Sequence, residues 1–181
     1  MIRRLVLTLL ALVVPHAFAG PPNVVLIIGD DQSWTDYGFM GHPHIETPAI
    51  DRLAREGRVF PQARVPSSLC SPSLASIITG RYPFEHLITG NEPPRPDGRG
   101  RDTDDYRNDV ATMIGFIDRS PTLPRLLGDA GYRSFQSGKW WLGSFERGGF
   151  TDGMTHGDPA RGGRHGDEGL AIGREGLQPI F

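Results

Sequence analysis

Val24 to Ile28 is an unbroken apolar run with no polar alternation. A strand exposed on one face alternates, whereas one covered on both faces does not, so the run predicts a central parallel strand ending at Asp30 and Asp31. From Thr47 the period changes. Ile50, Leu53 and Ala54 recur at helical spacing, with Thr47 as N-cap, Pro48 in the first turn and Gly57 as terminator. Arg58 to Val65 predicts a further strand, which Pro61 confines to an edge or bulge. Ser71 as cap and Pro72 in the first turn open a second helix through Leu74, Ile77 and Ile78 to Gly80, so Cys70 falls just ahead of its start. The polar, proline-rich stretch from Asn91 to Asp109 reads as a long surface loop or an insertion, which extends over residues 91–119 until order returns at Ser120. A third helix runs from Ser120 or Thr122 to Gly131, and a short strand follows from Tyr132 to Gln136. Strands alternating with helices imply an α/β fold with a parallel sheet and right-handed crossovers.

The ends of the chain alter that picture. MIRR is a short basic start, LVLTLLALVV is an apolar run shorter than the ~20 residues a bilayer span needs, and Ala17 to Ala19 fits a small-residue cleavage site. Residues 1–19 are therefore expected to be a signal peptide, with the mature chain, 20–181, periplasmic or secreted and off the membrane once cleaved. At the other end, residues 148–176 contain ten glycines, too few apolar groups to close a core. The stretch 148–181 is expected to be a Gly-rich, truncated part of the domain.

The formal net charge is −2, and cleavage removes Arg3 and Arg4, leaving the mature chain more acidic still. Neither nucleic acid nor an acidic membrane surface is expected as a partner. The chain has a single cysteine, Cys70, which can form no internal disulfide. In an oxidising compartment it is either buried and inert, paired to another molecule, or chemically used. A thiol at a helix start feels the positive end of the dipole, which favours a nucleophile or a nearby anion. Asp30 and Asp31, beyond the carboxyl end of a strand, either form a solvated turn or hold a hard divalent cation. His42 and His44 are an exposed turn before a helix or a weak metal pair. His156, Asp158, His165 and Asp167 belong to a surface segment or to a substrate mouth.

Four blocks, PNVVLIIGDDQSWTDYG, TPAIDRLAREGRVF, CSPSLASIITGRYP and TLPRLLGDAGYRSFQSGKWWLG, stand in one order over residues 22–143. In order and spacing they resemble the N-terminal half of the type I sulfatases, within the alkaline-phosphatase superfamily. The resemblance implies an alkaline-phosphatase-like α/β sandwich, its central, mostly parallel sheet flanked by helices and incomplete at the C-terminus. It also implies a sulfuric ester hydrolase acting on sulfate esters such as sulfated carbohydrates. By that resemblance Asp30 and Asp31 match Ca²⁺ ligands, with Mg²⁺ the alternative. Cys70 matches the residue that a formylglycine-generating or other maturation enzyme oxidises to Cα-formylglycine, whose hydrated aldehyde also touches the metal. Lys139 matches the sulfate-binding lysine. Arg81 matches a family arginine that either compensates charge at the site or pairs structurally near a helix end.

Two positions depart from the family pattern. Leu74 stands where the signature Cys, any residue, Pro, Ser, Arg has arginine, and leucine donates no hydrogen bond. Trp141 stands where the lysine block usually has histidine, and an indole N–H donates but shuttles no proton at neutral pH. These departures keep in view a catalytically impaired homologue that binds sulfated ligands. The resemblance to the superfamily, which handles both tetrahedral anions with similar metal sites, keeps a phosphate mono- or diester hydrolase as a second alternative.

Overall fold

The computed structural model of the protein describes residues 20–95, 98 and 100–156. The expected signal peptide over 1–19 and the Gly-rich stretch from 157 onward, with Asp158, His165 and Asp167, lie outside the described residues. The chain divides into two compact units at residues 55 and 56.

In the first unit, a single 3-10 turn at Gly38–Met40 precedes helix α1, Pro48–Glu56. Side-chain hydrogen bonds tie turn to helix. Thr47 Oγ1 accepts the Gly38 N–H at 2.9 Å and donates to Asp51 Oδ1 at 2.6 Å, and Asp51 Oδ1 also accepts the Phe39 N–H at 2.9 Å. A Cβ at Gly38 would lie 2.6 Å from Asp51 Oδ2, so a side chain there would have to displace the carboxylate that ties turn to helix. None of α1 is buried, and Ile50 and Leu53 are exposed.

The expected central strand is corrected here. Val24 to Ile28 forms no ladder among the described residues, and Val25 and Ile27 are each 80% exposed. A parallel strand exists only through neighbours that accept and donate along both edges, and no described segment pairs with this one. Arg58 to Val65 is likewise not a strand: Pro61 and Gln62 form a turn, and the proline has no N–H for a ladder.

The second unit carries α2, Cys70–Thr79; α3, Pro83–His86; α4, Asp104–Gly115; and α5, Leu123–Asp129. Two short strands, β1, Phe135–Gln136, and β2, Asp152–Gly153, pair in parallel with Phe135 opposite Asp152 and Gln136 opposite Gly153. The stretch expected to be a surface loop folds as α4 from Asp104 onward. Thr103 caps it by accepting the Tyr106 N–H at 3.2 Å, and Asp104 and Asp105 sit in the first turn, where carboxylates suit the dipole. The start of the Gly-rich stretch supplies β2. A Cβ at Gly153 would lie 2.5 Å from Phe145 Cβ, so the strand packs this closely only with glycine there.

Ala75 and Ile78 of α2 meet Ile88, Met113, Ile117, Trp140, Trp141 and Leu142 in one buried cluster. Arg125 binds the surrounding carbonyls, donating to Ile117 O at 3.0 Å, Ser120 O at 2.6 Å and Arg147 O at 2.5 Å. One guanidinium thus gathers three backbone carbonyls from two stretches of the chain, residues 117–120 and 147.

Candidate active site

Cys70 is the first residue of α2 and extended Leu69 is the N-cap, two positions earlier than the Ser71 cap the sequence predicts. The first turn tolerates Pro72 because its N–H groups have no intrahelical acceptor. The Ser71 N–H finds one outside the helix, Asn91 Oδ1 at 2.9 Å. The helix ends at Gly80, whose left-handed φ of 66° lets its N–H reach Ser76 O at 2.8 Å. Beneath α2, His86 Nδ1 accepts the Ile88 N–H at 3.1 Å, so the proton is on Nε2, which faces Ser76 Oγ at 3.0 Å. Burial holds this imidazole below its usual 6.5.

Lys139 follows the carboxyl end of β1, where sites in α/β sheets form. Its turn is fixed on both sides. Gln136 Nε2 donates to Gly138 O at 2.8 Å while Gln136 Oε1 accepts the Thr155 N–H at 3.1 Å, and Gly138 takes a φ of 76°. After the lysine, Trp140, Trp141 and Leu142 are buried at 3%, 9% and 0% exposure, anchoring the backbone.

These two elements bring together residues 69 positions apart. Lys139 Nζ donates to Cys70 Sγ at 3.3 Å, with both side chains half-buried. Lys139 is also the chain's only lysine among 19 basic residues, a compositional signal that motif reading passes over. The only lysine and the only cysteine meet. Chemically, the pair joins a thiol to a compact positive charge able to hold anionic oxygens.

Position 74 is one turn along α2 from Cys70 and so on the same face. Leu74 packs there, half-buried, against the apolar cluster and offers no donor. Trp141 lies in that cluster, its ring centroid 5.5 Å from Lys139 Nζ. Arg81 follows the opposite end of α2, about 15 Å along the helix axis from Cys70 at 1.5 Å per residue. Its guanidinium is exposed and has no ion pair among the described residues. The length of α2 thus separates Arg81 from the Lys139–Cys70 pair.

Asp30 and Asp31 are exposed in the first unit, and Asp31 takes a left-handed φ of 53°, which aspartate tolerates. Adjacent carboxylates are hard oxygen donors and fit Ca²⁺ or Mg²⁺. The Cys70 sulfur is a soft donor and fits such an ion only once oxygen replaces it.

The family model for sulfatases, described as "Sulfatase", matches residues 22–168. The chain belongs to the sulfatase family. N-acetylgalactosamine-6-sulfatase of Canis lupus familiaris is 40% identical over 124 residues, covering 68% of this chain and 22% of the relative. Arylsulfatase A of Homo sapiens is 38% identical over 144 residues, covering 78% of this chain and 25% of the relative. The solved structure of Ps i-CgsB is 32% identical with a TM-score of 0.55, covering 75% of this chain and 28% of its own. The chain thus spans about a quarter of the length of the sulfatases it matches. Its fold class is α/β, alkaline-phosphatase-like, of which the described residues carry the β1–β2 parallel pair and its helices.

Proposed function

We propose that this chain carries the nucleophile-bearing part of an exported sulfatase that hydrolyses sulfate esters, sulfated carbohydrates among them. The observation that carries the reading is the 3.3 Å approach of Lys139 Nζ to Cys70 Sγ. Export rests on the Met1 to Ala19 pattern, and no helix among the described residues is long and apolar enough to cross a membrane.

In this reading a maturation enzyme oxidises Cys70 to Cα-formylglycine, which supplies a hydrated aldehyde to attack sulfur and then release sulfate. Asp30 and Asp31 hold Ca²⁺, or Mg²⁺, which supplies Lewis-acid charge. Lys139 takes the sulfuryl oxygens as charge grows on them, and its short reach to position 70 sets the attacked atom beside the nucleophile. Trp141 excludes water on one side but delivers no proton to the departing alcohol.

Parallel assays with an aryl sulfate and an aryl phosphate test the assignment. Lys139→Ala is expected to lower kcat/KM for the sulfate by roughly 10²–10³-fold, as loss of one oxyanion donor does. Preference for the phosphate would move the chain to phosphoester hydrolysis. Mass measurement of the peptide around residue 70 is expected to show aldehyde, and a thiol in active protein would overturn the formylglycine step.

Leu74 favours a second reading, since its packing leaves no donor one turn from Cys70. A catalytically impaired relative would retain sulfated-glycan binding and turn over neither ester.

A further inference from the structure

The mechanism above asks Lys139 to stay in one place, yet a lysine has four methylenes and many rotamers. We propose that Trp141 is a positioning residue, its indole face holding the Lys139 ammonium against position 70 so that the charge meets an incoming sulfuryl group already oriented. This inference rests on the sulfatase reading.

Three observations carry it. The ring centroid lies 5.5 Å from Nζ, inside the ~6 Å range over which an aromatic face attracts a cation. Trp141 is 9% exposed and belongs to the cluster with Ile88, Ile117 and Leu142, so the ring is fixed by packing and cannot follow the lysine outward. Lys139 and Cys70 are half-buried, and reduced hydration strengthens the contact. An aromatic face also differs from a carboxylate partner in one consequential way: it attracts an ammonium without cancelling its charge. The full positive charge stays available to an anion. The histidine this position usually carries in the family would bring a proton, whereas tryptophan brings a fixed quadrupole, so the site trades proton transfer for placement of charge.

Having one lysine makes the test direct. In the full chain labelled with ¹³C-lysine, a single ε-methylene resonance reports Lys139, and ring current from the indole is expected to move it upfield of free lysine. Trp141→Phe keeps a face and is expected to keep a smaller upfield shift, while Trp141→Leu keeps apolar bulk and is expected to lose it. With aryl sulfate, Trp141→Leu is expected to raise KM about 10-fold, and Trp141→Phe less than about 3-fold, as graded loss of a cation–π contact implies. A purely structural role would lower the folded fraction and leave KM unchanged. An unshifted resonance in the unmutated chain overturns the proposal without need of any variant, and so does equal KM in the Phe and Leu variants. An upfield shift that responds as expected, in a chain that neither binds inorganic sulfate nor turns over aryl sulfate, supports the placement by Trp141 and removes the sulfatase reading instead.

Discussion

Helices α1 and α2 answer to the same local signals, a proline in the first turn and a glycine at the end, yet they meet opposite fates. Helix α2 buries Ser71, Pro72, Ala75, Ser76 and Ile78, whereas α1 buries nothing. Local signals decide whether a helix forms; burial is decided by what lies opposite. Around α2 the partners come from distant segments, Ile88, Ile117 and residues 140–142. Around α1 the described stabilisation is polar and near in sequence, through Thr47 and Asp51.

The largest effect expected from this contrast is in stability. Ile117→Ala, at a side chain with 0% exposure, should cost ~2–5 kcal/mol in urea unfolding, while Leu53→Ala on α1 should change stability by under ~0.5 kcal/mol. Comparable losses at both positions would mean that α1 is buried in solution. Next comes Gly149→Ala. Glycine there has a φ of 84°, and a Cβ would sit 2.4 Å from Arg125 Cγ, so alanine should cost ~1–3 kcal/mol by forcing both the backbone and the carbonyl-binding arginine to shift. A neutral result would show that Arg125 is not the organiser of those loops. The smallest effect concerns pH. Because burial lowers the pKa of His86, the unfolded chain takes up this proton first as pH falls. Its contribution is therefore full above 6.5 and lost as pH drops through the lower folded value. His86→Gln should flatten that acid-side decline in the denaturant midpoint, and an unchanged slope would move the origin to another group.

How much could be read beforehand follows the same division. Helices α1, α2 and α5 were legible from caps and breakers because those signals lie within a few residues of the bonds they govern. Helix α4 was hidden by composition: its cap at Thr103 falls inside a run of prolines, glycines and charges, so the boundary was missed although Thr103, Asp104 and Asp105 spell a helix start. The strands at Val24 to Ile28 and Arg58 to Val65 were misread for a deeper reason, since a strand is a property of two segments and one segment's apolar pattern cannot supply the other. At the site, resemblance named Cys70 and Lys139, but nothing local linked them. Their meeting depends on the Gly138 turn, which Gln136 and Thr155 hold from both sides.

A chain with one lysine can be cut by a lysine-specific protease in one place only, the bond between Lys139 and Trp140. That cut would leave the Cys70 thiol on one fragment and the indole that faces the ammonium on the other, so the rate of a single scission becomes a clock for how often the loop after β1 opens.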